Sequence, residues 1–417
     1  MLGKKVFIVS LCFVLTALSA LASSPQEGYE QARREVLSAW LSMASYDDKP
    51  GEAARQELIR RGWDIDHRIQ KDDKSESKFR LARKGRDTFV AVTGTESLAD
   101  VKSDLNLHSI PYKEGDTGDL RKVHAGFSYY TTNLLDTPYE GTTLKQVLKA
   151  DAASGNVTLT GHSLGGAAAL LAAGKSGMDF PQIACLYDEG LPQIQVVTFG
   201  APAVGNSAFN ETYEPLLHVD RIVMAGDPVK GILQTVDGTY SQFSKETVWQ
   251  SAPSVQRFAH DIVGYADAAL RHYYDAKGAY EASLGHPLAA DAARATTPSV
   301  WVLPMAVTVD GALSGDVPYM KRAADDQLAY RLHPLYGTSE TSLAENLKAA
   351  RDKGCEAVLV RRLTGKRAKN KDYDFVMTYE EVWYDVQSGT ARSAFSMTMN
   401  TEKMTPILAL LAMAGTA

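Results

Sequence analysis

The sequence is poor in cysteine. Only three occur in 417 residues, Cys12, Cys185 and Cys355, too few and too scattered for a disulfide-stapled scaffold. It also lacks a basic excess: 44 Lys and Arg stand against 50 Asp and Glu, a formal net charge of -6. That balance excludes the electrostatic footprint that draws proteins to nucleic-acid phosphates, and no nucleic-acid partner is expected. No HExxH pattern and no Cys/His cluster with ligand spacing occurs, so neither a metal nor an organic cofactor is expected. Internal repeats and low-complexity tracts are missing too. Beyond the first residues no apolar run is long enough to span a bilayer, and the final "TPILALLAMAGTA" reads as a packed helix.

What is present starts with "MLGKKVFIVSLCFVLTALSALASS": two lysines, an apolar run and the small-x-small triplet Ala20-Leu21-Ala22. This is the pattern of a removable signal peptide over residues 1–22 rather than of an anchor, and it predicts a periplasmic or secreted protein. Cys12 falls inside that segment. The two remaining cysteines either form one bridge or stay as separate buried thiols.

Apolar residues at helical spacing in "YEQARREVLSAWLSMASY" and "GEAARQELIRRGW" predict two opening helices separated by a "KPG" breaker. "FRLARKG" and "DTFVAVTGT" read as a strand hairpin turning at Lys84-Gly85. "NVTLTG", "IQVVTFG" and "DRIVMAGD" are further strands, with helical material between them. Short strands alternating with longer helices predict an α/β fold: a mostly parallel sheet covered by helices on both faces, with its ligand site at the carboxyl ends of the strands. That pattern occupies residues 23–285. Residues 286–298, "HPLAADAARATTP", read as a linker, and 299–417 as a smaller α+β unit.

Gly161-His162-Ser163-Leu164-Gly165 fits G-x-S-x-G, in which a serine occupies a strained turn between strand and helix and only glycine is tolerated two positions away on either side. "NVTLT" before it is a credible strand and "GAAALLAAG" after it a helix former, which makes Ser163 a candidate nucleophile. A serine hydroxyl needs a base, and the base an orienting acid, which on this fold follow in the order serine, acid, histidine. Asp227 lies just past a strand, before Pro228; Asp220 starts the same strand and belongs at the opposite edge of the sheet. Asp227 can also be read as a turn-capping acid. Of the later histidines, His260 ends "SVQRFA", a candidate last strand, whereas His272 lies inside a helix; His286 falls in the linker and His333 in the second unit. Backbone donors for an oxyanion are expected from Leu164 and from Thr95, which ends the apolar strand "VAVTGT".

Taken together, "VTGTESLADVKSDL", "VHAGF" (123–127), "LTGHSLGGAAALL", "VVTFGAPAVGN" (196–206) and "RIVMAGDPV" resemble, in that order, the class 3 lipase family of α/β-hydrolases, which includes the fungal triacylglycerol lipases. The resemblance spans about residues 28–283. It implies a serine carboxylic-ester hydrolase acting on lipids through an acyl-enzyme, with catalytic Ser163, Asp227 and His260, an oxyanion hole of Thr95 and Leu164, and His124 as a structural residue close to the nucleophile. It also implies a lid after Thr95. Leu98, Val101 and Leu105 share one helical face there, which either covers an apolar acyl site or packs on the core.

Two positions depart from the family pattern: Thr93 stands where Arg is usual, and Val101 where Trp is common. A phospholipase, an esterase for small soluble esters and a non-catalytic envelope protein on a hydrolase scaffold are the alternatives. "ENLKAARDKGCEAVLVRRL" and "DFVMTYEEVWYDVQSGT" are weakly similar to small domains of bacterial envelope proteins, which implies an envelope partner; a stabilising appendage is the plainer reading.

Overall fold

The computed structural model describes residues 24–71, 76–95, 108–112, 118, 120–174, 194–236, 238–288, 299–369 and 374–417. Two helices open the chain, α1 (Pro25–Ala44) and α2 (Lys49–Arg60). Ser24 caps α1 through a capping box with Glu27, and Asp48 caps α2 by accepting from the amide of Gly51.

The main sheet has seven strands in sequence order: β1 (Asp64–Lys71), β2 (Glu76–Lys84), β3 (Asp87–Val92), β4 (Asn156–His162), β5 (Gln195–Phe199), β6 (His218–Met224) and β7 (Thr247–Trp249). β1, β2 and β3 pair antiparallel, and from β3 to β7 every pairing is parallel. The β2–β3 hairpin turns at Gly85, whose φ of +61° suits a residue without Cβ. This is the mostly parallel α/β arrangement that the alternation of short strands and helices predicts.

Both faces of the sheet are buried, and period-2 alternation assigns each residue to one side. Phe89 and Ala91 point into the core on the side of α1, whereas Val90 and Val92 point into the core on the other side. Helices α3 (Ala125–Leu135), α4 (Leu144–Ser154) and α5 (Leu164–Gly174) cover this second face. The long α6 (Ile262–Leu284) lies beside α1 on the first.

One expectation fails here. "SVQRFA" is not the last strand; β7 is, and residues 254–259 form a loop held by turns such as Val255 N–H to Ala252 O and Asp261 N–H to Phe258 O. Periodicity cannot separate a short apolar strand from an apolar loop when the neighbouring edge is not yet known.

The C-terminal part builds a second sheet from β8 (Ser299–Val302), β9 (Ala306–Val309), β10 (His333–Tyr336), β11 (Ala357–Arg367), β12 (Phe375–Asp385) and β13 (Ala391–Asn400). Its order is β10-β8-β11-β12-β13, with β9 pairing farther along β11. Helices α7 (Val317–Arg331), α8 (Leu343–Asp352) and α9 (Pro406–Thr416) accompany it. Met320, Tyr379, Ile407 and Leu411 join Trp40, Leu58 and Leu270 in one continuous core. Ion pairs Arg271–Asp316 and Lys277–Asp326, both at 2.8 Å, run across the same junction. Among the described residues no helix is long and apolar enough to cross a membrane. Cys355 is a buried free thiol, and Cys185 lies outside the described residues.

Candidate active site

β4 ends at His162 in the middle of the sheet, and the chain reverses into α5 through Ser163, whose φ is +59°. A non-glycine residue rarely adopts that conformation, so surrounding structure must impose it. Neighbouring glycines show how. A Cβ on Gly161 would come within 2.3 Å of the Gly165 carbonyl carbon, and one on Gly165 within 2.2 Å of the Val92 carbonyl oxygen. The Ser163 amide donates to Phe199 O at 2.9 Å and ties the turn to β5.

Two loops bring partners to this turn. Asp227 follows β6 after Gly226, at φ +82°, and its amide donates back to Met224 O. His260 stands just before α6, whose N-cap is Asp261. The Ser163 hydroxyl lies 2.8 Å from His260 Nε2, and His260 Nδ1 lies 2.9 Å from Asp227 Oδ2 and 3.1 Å from Oδ1. An aspartate accepts only, so Nδ1 carries the proton, and Nε2 is left to accept from Ser163 O–H. All three residues are at least nine-tenths buried. Asp227 is further held by the Tyr265 hydroxyl, donating at 2.6 Å, and by the Val229 amide at 2.8 Å. Asp220 sits elsewhere, at the start of β6, paired with Arg34 at 3.3 Å.

Gly200, at φ +58°, makes room for the pair: a Cβ there would lie 2.5 Å from Asp227 Oδ2 and 2.9 Å from His260 Nδ1. His272 is not brought to the site; it lies on α6 with its ring stacked 4.8 Å from Trp249.

Gly94 packs against the nucleophile, where an added Cβ would be 2.5 Å from His162 O and 3.4 Å from Ser163 Cβ. Thr95 follows it, half-buried, at the end of β3, and Leu164 opens α5; the loop after β3 and the start of α5 thus flank Ser163. Thr93 is buried, its hydroxyl donating to Ser45 O at 3.3 Å. His124 caps α3 by accepting from the Phe127 amide at 3.2 Å. The candidate lid, with Leu98, Val101 and Leu105, lies outside the described residues.

Three residues of the site escape sequence reasoning. Tyr265 is one. Tyr46, just past α1, and His162 are the others: Tyr46 Oη lies 2.8 Å from His162 Nδ1, and His162 Nε2 lies 2.7 Å from the His260 carbonyl oxygen. A carbonyl can only accept, so His162 is protonated on Nε2 and accepts a hydrogen bond from the Tyr46 hydroxyl on Nδ1. Burial, with His260 adjacent, pushes its pKa well below the usual histidine range and keeps it neutral. Among the described residues, no group of three or more His, Cys, Asp or Glu is arranged to hold a metal ion.

Residues 89–235 match the family model described as lipase (class 3). Over those residues the chain is similar to the class 3 lipases. It is also similar to Lipase ZK262.3 of Caenorhabditis elegans, at 45% identity over 78 residues, which is 18% of this chain. The matched region is 19% of that protein, so the chain spans about a fifth of the length of the curated relative it matches. Among solved structures, it is similar to the lipase of Rhizopus microsporus var. chinensis, at 23% identity and a TM-score of 0.40, covering 54% of this chain and 75% of that one. It is also similar to lipase II of Rhizopus niveus, at 22% identity and a TM-score of 0.42, covering 55% and 83% respectively.

Proposed function

We propose that this class 3 lipase-like chain is an exported serine hydrolase that cleaves carboxylic esters of lipids through an acyl-enzyme. The observation that carries the reading is the hydrogen-bonded series Ser163–His260–Asp227, built around a serine held at φ +59°. In the first half-reaction His260 Nε2 takes the Ser163 proton as Oγ attacks the ester carbonyl, and the amides of Leu164 and Thr95 stabilise the oxyanion. Collapse of the tetrahedral intermediate breaks the ester C–O bond, and imidazolium returns its proton to the departing alcohol. Water then attacks the acyl-serine by the same route and releases the carboxylic acid. Asp227 holds the imidazole in the Nδ1-protonated tautomer throughout.

Export rests on the opening "MLGKKVFIVSLCFVLTALSALASS". The continuous core and the ion pairs across the junction support a stabilising role for residues 299–417.

The deciding experiment compares wild type with Ser163→Ala, His260→Ala and His272→Ala on acyl esters graded from short and dissolved to long and emulsified. Loss of roughly 10⁴ to 10⁶ in rate is expected for the first two and little for the third. A long-chain optimum on emulsions identifies lipid esters, and a short-chain optimum in solution identifies a soluble-ester esterase. Equal inertness of wild type and Ser163→Ala across the series, with no labelling of Ser163 by a fluorophosphonate, would return the chain to a scaffold role.

A further inference from the structure

The starts of the parallel strands, at Asp87 and Asn156, mark the end of the main sheet opposite Ser163. Lys84 pairs with Asp87 across the β2–β3 hairpin and lines a cavity of about 60 Å³ there, enclosed by α1, α2, α6 and α7. A single water needs on the order of 10–15 Å³ of such volume, so the space admits a small charged group and the first atoms of the body that carries it.

The walls are aromatic and cationic, and two of the three cations are already neutralised: Arg33 pairs with Glu30 and Asp87, each at 3.8 Å, and Arg61 with Glu57. Six aromatic rings line them, Trp40, Tyr273 and Tyr330 among them, together with the cations Arg33, Arg61 and Lys84, and no carboxylate residue is part of the lining. Arg61 is fixed in place: its guanidinium lies 4.5 Å from the Tyr330 ring centroid and 5.9 Å from that of Trp40, and Glu57 pairs with it from behind. Lys84 is half-buried and has no ion-pair partner among the described residues. A half-buried lysine that lines an aromatic cavity and has no ion-pair partner suits a ligand with a single negative charge on an apolar body. A dianion such as phosphate is poorly matched, because rings cannot replace the water it would lose.

We infer that this cavity is a binding site for a monocarboxylate with an aromatic or short apolar body, separate from the ester-cleaving site. Its walls come from both halves of the chain, Trp40 from α1 and Tyr330 from α7, so occupation ties the C-terminal half to the main sheet. A ligand that binds only the folded protein raises its melting temperature with concentration.

The test uses the full chain labelled with fluorinated tryptophan and titrated with benzoate and phenylacetate, with benzylamine as the cationic counterpart. Expected results are shifts of the Trp40 and Trp63 resonances, a Tm that climbs with carboxylate concentration, no response to benzylamine, and the same behaviour in Ser163→Ala. Lys84→Gln should weaken binding roughly tenfold. Lys84→Glu should abolish it, with both variants folding and cleaving ester as wild type does. Unshifted tryptophans, equal affinity in Lys84→Glu, equal binding of benzylamine, or binding lost in Ser163→Ala would each overturn the inference. Because the readouts do not require turnover, failure of the proposed hydrolase activity leaves this test intact.

Discussion

The hydroxyl of Tyr46 donates to Nδ1 of His162 across 2.8 Å and thereby connects the end of the first helix to the residue preceding the nucleophile. His162 passes the constraint on by donating to the His260 carbonyl, so the backbone that carries the base is held from outside the triad. Removing this donor with Tyr46→Phe should lower kcat about tenfold with KM unchanged, and cost about 1 kcal/mol of stability. Steady-state kinetics on a soluble ester checks it, and a change confined to KM would contradict the positioning role.

Tyr265 holds Asp227 from the opposite side of the imidazole while its oxygen accepts from the Met224 amide at 2.8 Å. Tyr265→Phe leaves that buried amide without its acceptor, which should cost roughly 1–3 kcal/mol in denaturant unfolding. Activity should fall, but far less than in Asp227→Asn, where loss of the Nδ1 acceptor should reduce kcat by about 10⁴. Equal rates for Tyr265→Phe and wild type would show that Val229 and His260 suffice to orient the carboxylate.

The backbone of Ser163 stores strain that glycine would relieve and alanine would not. Both Ser163→Gly and Ser163→Ala should be inactive, but the glycine variant should be the more stable of the two by up to about 1 kcal/mol, and thermal melts of the pair measure it. Alanine equal to or above glycine would mean that the turn at φ +59° costs little.

Glu35 is buried on α1 and accepts from Gln31 Nε2 at 2.9 Å; burial, the dominant cause, raises its pKa from 4.5 to about 7. The folded state therefore binds this proton more tightly than the unfolded chain does. The contribution favours folding below the folded pKa and is lost as pH rises from about 4.5 to about 7, above which the buried charge penalises the folded state fully. Glu35→Gln should thus stabilise the protein above pH 7, by on the order of 3 kcal/mol at most, and change little below pH 4.5. Urea midpoints across that range, with wild type and variant remaining parallel, would contradict the shift.

Much of the fold can be read from local pattern. The unbroken apolar run in "DTFVAV" marks a strand with two buried faces, "NVTLTG" reads as a strand by its alternation, and the two glycines around Ser163 are a direct consequence of backbone contacts shorter than any Cβ allows. Asp227 is legible because a strand, a turn and Pro228 place it at the right edge, and His260 because it precedes a helix. The patterns that make these features readable are short-range, although the contact that demands glycine at position 165 comes from Val92 on the neighbouring strand.

The remainder depends on contacts between distant parts of the chain. Tyr46 and His162 are 116 residues apart, and Tyr265 and Asp227 are 38 apart; no spacing or periodicity relates either pair. The loop over 254–259 has a strand-like composition, and only the completed sheet, ending at β7, leaves it unpaired. In the same way, the helical patterns of α1, α7 and α9 each predict an apolar face but not which face it meets. Thus the sequence by itself determined most of the elements, the glycine-flanked serine turn and the candidate partners of the serine. Tertiary packing decided which buried hydroxyls hold them in register and joined the two halves around one core, because hydrophobic burial is non-directional and takes its partners from the whole chain.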